Sequence, residues 1–314
     1  MYTASDIAKL EEVFLAHSHE GVPEFADFLT NQGVAVNLIL YPSEKDALHR
    51  TGWSNPRVKI IHGGEHNGGQ LTTYPRDCGF INGETFFISH VVLNETDYYL
   101  GDAYANLPRV INNQLGLQTF VVKFKGGELV SDGNLAIVSR SQDELDGLER
   151  KLGIEVIGID IAKHTDYFFN FVGKNTVLYN SSLANILINS IDKKPYIKST
   201  EKIADELAKN SYQIIEIRRD ISKGTRFYPY EYLFTHLTLL GNTFNIDETR
   251  VVMIQDFSPL DLFEMNSDDL KGKLSNAGIT LLEFPVKGYY QMFSSKGGPR
   301  CMTFPVRKTE VNLN

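Results

Sequence analysis

The sequence predicts an α+β fold built from one repeated unit, a strand–turn–strand followed by a helix and a further strand. Three observations carry this. Short apolar strands interrupted by a tight turn recur at Gly79–Ser89, Glu128–Ser139 and Tyr167–Tyr179. A helical stretch and then a lone apolar strand follow each of them. The recurrence is about 45 to 60 residues, a period that signals equivalent modules in a ring or solenoid. No linker or break in composition divides the chain, so a single domain covering residues 1–314 is expected. In a ring of modules the equivalent loops converge at one end, which is where a site would form.

Taken in order, residues 4–32 read as helical from a cap at Ser5, with Leu10, Val13, Phe14, Phe25, Phe28 and Leu29 as the apolar face. Val34–Tyr41 is a nearly continuous apolar strand stopped by Pro42. Glu44–Thr51 suits a short helix, Val58–His62 a strand, and the glycine-rich run Gly63–Gly69 a loop. After the Gly79–Ser89 hairpin, 101–115 reads as helix and Leu117–Phe124 as strand. The Glu128–Ser139 hairpin turns at Asp132-Gly133. Gln142–Leu152 is a helix between a Ser141 cap and Gly153, and Ile154–Ile161 a strand. Beyond the Tyr167–Tyr179 hairpin come helical stretches at 182–191 and 200–209 and the strand Tyr212–Ile217. Tyr230–Leu240 and Val251–Gln255 form a further hairpin around Gly241-Asn242; Leu260–Ala277 is helical and Ile279–Phe284 a strand. The last half-hairpin carries Cys301.

Composition narrows the function. The net charge of −8 argues against a general nucleic-acid binder, which needs a basic face. No run approaches the roughly 18 apolar residues of a membrane span. The N-terminus lacks the basic and apolar segments of a signal peptide. Two cysteines, Cys78 and Cys301, do not make a disulfide scaffold, so a reducing cytoplasm is the expected location. The closest histidine pairs, His17/His19 and His62/His66, have no cysteine at zinc spacing, and no metal or organic cofactor is expected.

Four stretches hold the best candidates for chemistry. They are Tyr74–Gly79 before a strand, Phe124–Glu128, Lys163–Asp166 before an aromatic strand, and Gly297–Thr303. Each has an ordinary structural explanation: an ion pair at Arg76-Asp77, a bend relieved by Gly126-Gly127, a strand-end cap at His164, a buried small thiol at Cys301. Together they supply a thiol nucleophile, an imidazole acid–base and orienting carboxylates in Cys301, His164, Asp77 and Asp166.

These stretches, in this order, resemble the guanidine-modifying enzymes of the pentein superfamily, nearest to the agmatine deiminase and bacterial peptidylarginine deiminase branch. The resemblance covers about residue 58 to the end. It rests on Tyr-Pro-Arg-Asp-x-Gly at 74–79, where that branch has Trp-Pro-Arg-Asp-x-Gly. It continues with x-Gly-Gly at 125–127, His-x-Asp at 164–166, and Gly-Gly-x-x-Cys-x-Thr at 297–303. It implies a five-module α/β propeller with pseudo-fivefold arrangement and a site at the pore end. It further implies that Cys301 attacks the guanidinium carbon and His164 moves the protons, while Asp77 and Asp166 grip the guanidinium nitrogens. Arg76, Lys125, Gly126, Gly127 and Glu128 fall on the substrate-binding side. The implied partner is a small guanidine-like or peptidyl-arginine substrate, with no nucleic acid or membrane and with a homodimer left open.

One position departs from the pattern. The family has Glu where this chain has Lys125, a change of two charge units beside a cationic substrate. Three explanations fit: Glu128 substitutes for the missing carboxylate, the substrate carries an anion or a neutral amide-like group, or the chain binds without catalysing. Amidino transfer through the same cysteine is a further reading. Cys78, next to Asp77, either packs behind its loop or forms a reversible disulfide with Cys301.

Overall fold

The computed structural model describes residues 1–16, 21–40, 48, 51–63, 74–90, 101–140, 145, 147–159, 164–181, 183, 196–217, 243–255, 267–285 and 299–309. They form two compact units. The first comprises Met1–Ala4, Lys9–Gly127 and Lys287–Asn314, the second Ser5–Ala8 and Glu128–Val286.

The first unit contains β1 (Leu10–Ala16), α1 (Val22–Asn31), β2 (Ala35–Leu40), β3 (Val58–His62), β4 (Gly79–Asn82), β5 (Thr85–Ser89), α2 (Gly101–Leu115), β6 (Gln118–Val122) and, from the far end of the chain, β16 (Thr303–Arg307). The second contains β7 (Leu129–Ser131), β8 (Leu135–Val138), α3 (Leu148–Leu152), β9 (Glu155–Gly158), β10 (Phe169–Gly173), β11 (Thr176–Tyr179), α4 (Tyr196–Lys209), β12 (Gln213–Glu216), β13 (Phe244–Asp247), β14 (Arg250–Gln255), α5 (Ser267–Asn276) and β15 (Thr280–Pro285).

These strands make five small sheets, ordered β16-β1-β2-β3, β4-β5-β6, β7-β8-β9, β10-β11-β12 and β13-β14-β15. Each opens with an antiparallel pair and continues into a parallel strand. A parallel neighbour requires a crossover, and the helices α2, α3, α4 and α5 supply it. Burial follows position. The leading strands β7 and β10 are wholly buried, while the trailing strands β3, β6 and β9 turn residues to solvent.

Each unit has its own apolar cluster. In the first, Phe14, Phe86 and Phe304 meet edge to face, with Phe86 and Phe304 ring centroids 5.0 Å apart, among Ile81, Leu107 and Ile111. In the second, Val130 and Ile137, then Phe169, Phe171, Val172 and Leu178, join Leu207, Val251 and Leu274, so strands and helices of three modules share one core. Ile7 also enters this second cluster, from the short segment Ser5–Ala8.

Much of the expected order is present. The Asp132-Gly133 turn is closed by Asp132 Oδ1, which accepts the Asn134 and Leu135 N–H groups at 2.8 and 2.9 Å. The Gly153 stop holds as a left-handed C-cap. The principal correction concerns residues 4–32. Ser5 Oγ accepts the Ala8 N–H in the manner of a cap, but no helix follows. Leu10–Ala16 is instead a strand lying between β16 and β2, and only Val22–Asn31 is helical. Beyond Glu11 and Glu12 the strand is a short, buried apolar run, Val13–Ala16, which periodicity cannot tell from a buried helix segment.

The hairpin expected around Gly241-Asn242 is formed by β13 and β14 instead. Its turn is at Glu248-Thr249, where Asp247 Oδ1 accepts the Thr249 N–H at 2.9 Å. The Tyr230–Leu240 stretch lies outside the described residues, as do all of the helical stretch expected at 182–191 except Leu183, most of 44–51, and Ser141. The helix expected at 142–152 is described as Leu148–Leu152, that at 200–209 begins earlier at Tyr196, and that at 260–277 as Ser267–Asn276. Among the described residues no helix is long and apolar enough to cross a membrane.

Candidate active site

The candidate residues fall into two sets, one in each compact unit, and the Gly127–Glu128 peptide bond joins them along the chain. In the first unit, Pro75–Cys78 forms a short 3-10 turn ahead of β4, and all four residues are buried. Proline at its start supplies the required φ and gives up an N–H that a helix start leaves unused. Gly79 follows at φ +139°, where a Cβ would strike the Phe87 carbonyl oxygen. The glycine of the Arg-Asp-x-Gly motif is therefore needed for the strand to begin.

Cys301 sits on the turn before β16 and is 5% exposed. That turn is pinned by Thr303, whose Oγ1 donates to the Arg300 carbonyl at 2.9 Å. The Arg76 N–H donates to the Cys301 carbonyl at 3.3 Å. The turn bearing Asp77 and the turn bearing the thiol are thus bonded, although they lie far apart in the sequence. Arg76 also reaches the third motif, its Nε donating to the Gly126 carbonyl at 3.3 Å. Arg76 is 3% exposed. Its observed role in this set is to hold three segments in register.

Gly126 has no room for a side chain: a Cβ there would collide with the carbonyl oxygens of Arg76 and Gly79. Gly126→Ala is expected to destabilise the protein by about 3 kcal/mol through this overpacking. Urea unfolding with an unchanged m-value measures it; a shift below about 1 kcal/mol would show that the loop simply moves aside. Lys125, just before, is half-buried.

Cys78 lies within the apolar cluster of Phe86, Leu107, Ile111 and Phe304, and both cysteines are free thiols. Burial, and then the neighbouring Asp77 carboxylate, pushes the Cys78 thiol well above its ordinary pKa. Cys78 is packing, and at neutral pH it stays protonated.

In the second unit, Thr165–Tyr167 forms another 3-10 turn ahead of β10, preceded by His164 in an extended conformation. His164 Nδ1 lies 3.9 Å from Asp166 Oδ1, ion-pair range but longer than a hydrogen bond. The His164 ring stacks on Tyr167 at 5.3 Å. The Asp166 side chain is wholly buried, and its carbonyl accepts from Asn170 Nδ2 at 2.9 Å. Thr165 is 0% exposed and donates to the Glu128 carbonyl at 2.6 Å, so the hydroxyl of Ser139, 2.6 Å away, must donate to it in turn. The Ser139 N–H donates to the same Glu128 carbonyl at 2.9 Å. These bonds fasten Glu128 to the His164–Asp166 turn.

The Glu128 carboxylate is held by Arg140, Oε2 to Nη2 2.8 Å, with both side chains mostly buried. Arg140 in turn donates to the Ser139 carbonyl at 2.6 Å. Sequence reading passes over Arg140, Ser139 and Thr165. The available signal was the polar run Ser139-Arg140-Ser141 breaking off the apolar strand Leu135–Val138. Lys163, Gly297 and Gly298 lie outside the described residues. Among the described residues no group of three or more His, Cys, Asp or Glu is placed to hold a metal ion, and His17, His19 and His66 are outside them.

Similarity to solved structures decides the fold. The chain superposes on an agmatine deiminase of Enterococcus faecalis with a TM-score of 0.66 at 12% identity, covering 98% of this chain and 96% of the other. A C. jejuni agmatine deiminase with a cysteine-to-serine substitution and substrate bound gives 0.60 at 13% identity, again over 98% and 96%. An amidinotransferase of the saxitoxin pathway from Microseira wollei gives 0.54 at 15%, over 98% and 97%. The chain has the pentein fold. No protein-family model matches it, and no curated protein matches its sequence. The pentein fold here is mixed α+β with small sheets and few helices, and its neighbours include agmatine deiminases and an amidinotransferase.

Proposed function

We propose that this protein is a cysteine-dependent hydrolase of the deiminase type, cleaving a C–N bond of a guanidine or related group in a single catalytic domain. The observation that carries the reading is the backbone bond joining the Cys301 turn to the Arg76-Asp77 turn. It holds the turn that bears Cys301 to the turn that bears Asp77, which supports pairing a thiol with a carboxylate suited to a planar cation, on a fold whose neighbours include agmatine deiminases. Four three-stranded sheets and one four-stranded sheet, each an antiparallel pair continued by a parallel strand, support a five-module propeller with pseudo-fivefold arrangement.

In this reading the Cys301 thiolate forms a C–S bond to the central carbon and the C–N bond breaks, the departing amine taking a proton from His164. His164 then takes a proton from water, whose oxygen adds to the carbon as the C–S bond breaks. The products are a ureido compound and ammonia or an amine, and the thiolate is regenerated. Asp77 and Asp166 orient the cation. No metal or organic cofactor takes part. The reaction suits a small soluble substrate and a cytoplasmic enzyme.

Substrate choice rests on Lys125. Glu128 is committed to Arg140 at 2.8 Å, so its carboxylate is a poor replacement for the family's Glu. The cation at Lys125, in place of the family's carboxylate, favours a substrate bearing an anionic or neutral group over agmatine. The same observation favours the second reading, a pentein-fold binding protein without turnover.

An ammonia-release screen separates the two. The substrates are agmatine, arginine, peptidyl-arginine, methylated arginines and several amides. Turnover of any of them supports the hydrolase. Transfer of the amidino group only when an acceptor amine is added would indicate an amidinotransferase. No turnover, together with a Cys301 thiol inert to alkylation at neutral pH, favours the binding protein.

A further inference from the structure

We propose that Thr165 is a positioning residue for the His164–Asp166 turn: its buried hydroxyl, set between the Glu128 carbonyl and the Ser139 hydroxyl, aims the imidazole that moves protons. The proton role of His164 rests on the hydrolase reading above. What holds the ring in place is a feature of the second unit alone.

Thr165 lies between the two candidate side chains and is 0% exposed, and Ser139 is 1% exposed. The Thr165 hydroxyl donates its one proton to the Glu128 carbonyl at 2.6 Å and accepts the Ser139 hydroxyl at 2.6 Å. The Ser139 N–H reaches the same Glu128 carbonyl at 2.9 Å. These bonds close a loop through Thr165, Glu128 and Ser139, and a buried group that loses its partner there is costly. The run of donors ends on a carbonyl oxygen, which has no proton to pass on. The hydroxyl pair is therefore a fixture and no proton relay.

The turn itself is closed by the Phe168 N–H on the Thr165 carbonyl at 2.9 Å and the Tyr167 N–H on the His164 carbonyl at 3.2 Å. Thr165 anchors it by a side chain, with His164 one residue before and Asp166 one residue after. In this setting the His164 ring stacks on Tyr167 at 5.3 Å, and its Nδ1 stands 3.9 Å from Asp166 Oδ1. Slippage of the turn disturbs both relations together. The first unit repeats the device. There Arg76 directly precedes Asp77, is buried, and donates through Nε to the Gly126 carbonyl at 3.3 Å. In each unit the residue just before a candidate carboxylate is thus buried and donates its side chain to a backbone carbonyl of the Gly126–Glu128 turn. A guanidinium and a hydroxyl share little beyond being donors, so what recurs is the anchoring of a carboxylate-bearing turn.

Three variants test this. Thr165→Val keeps the branched shape and removes the hydroxyl, Thr165→Ser restores the donor, and Ser139→Ala removes the second hydroxyl alone. All are measured well below their melting transitions. The first readout is the His164 imidazole resonance by NMR in the resting protein, assigned by its loss in His164→Gln. Thr165→Val is expected to move it as the ring leaves its place against Tyr167, Ser139→Ala to move it less, and Thr165→Ser to return it. The second is steady-state kinetics on a substrate that the wild type turns over. Thr165→Val is expected to lower kcat by ~10^2-fold, the loss that follows a displacement of about 1 Å, with KM changed less and Thr165→Ser recovering most of the rate. A merely structural role would lower the melting temperature of Thr165→Val and leave the resonance and kcat of the folded protein where they were, which overturns the proposal. So does a Thr165→Ser variant that behaves like Thr165→Val. Where Thr165→Val does not fold, an unmoved resonance in Ser139→Ala overturns it equally. A wild type without turnover counts against the hydrolase reading, and the resonance still decides whether Thr165 places the ring.

Discussion

Cys301→Ala is expected to abolish ammonia release from whichever substrate the wild type accepts, lowering kcat by at least ~10^4-fold. Without the thiol no C–S bond forms, and none of the other named groups is an equivalent nucleophile. Cys78 cannot replace it, because it is buried in the apolar cluster with its pKa raised by that burial and by Asp77. The fold is expected to survive. Cys301 is 5% exposed, and its removal leaves a void of one sulfur atom, a loss of about 1 kcal/mol. The Thr303-to-Arg300 bonds and the Arg76-to-Cys301 bond use backbone and threonine atoms that the substitution retains. Steady-state assay beside thermal melting is the check. A variant that turns over at the wild-type rate would sink the covalent mechanism.

Lys125→Glu is expected to raise kcat/KM for a simple guanidine such as agmatine by about 10^2-fold. The estimate follows from charge. A unit pair at ~4 Å and an effective dielectric of ~20 is worth about 4 kcal/mol. Lys125 is half-buried. Solvent screening therefore reduces the usable difference to about 3 kcal/mol, or roughly 10^2-fold. The gain is expected mainly in KM, since the ammonium opposes cation binding before any bond changes. The same substitution is expected to weaken any anionic substrate of the wild type by a similar factor. Parallel kinetics on agmatine and on the best wild-type substrate provide the measurement. An unchanged preference would mean that Lys125 does not face the ligand, and specificity would then have to be sought at the Arg140–Glu128 pair.

Much of this protein is legible from residue order because its signals are local. The hairpin of β7 and β8 follows from Asp132-Gly133, where a short carboxylate and a glycine close a turn without help from distant residues. The Arg-Asp-x-Gly and His-x-Asp motifs are legible for the same reason, each being a short turn leading into a strand. The failures share a cause. Leu10–Ala16 is a strand because β16, from the other end of the chain, and β2 enclose it, and nothing within the segment distinguishes that from a buried helix. The β13–β14 turn is not legible from residue order because an Asp247 side chain closes it, while Gly241-Asn242 is the stronger local turn signal.

The same division runs through the candidate site. Sequence alone supplied the residue types of the proposed chemistry, the modular α+β class and, through the family resemblance, the departure at Lys125. These depend on neighbouring residues and on spacing, which a linear string preserves. Tertiary structure decided which groups meet. It bonded the Cys301 turn to Arg76, laid Gly126 against the Arg76 and Gly79 carbonyls, and committed Glu128 to Arg140. It also placed Cys78 in an apolar core as packing. A hydrogen bond or an ion pair is a relation in space between atoms a few ångströms apart, and the order of residues along the chain does not encode that distance until the chain has folded.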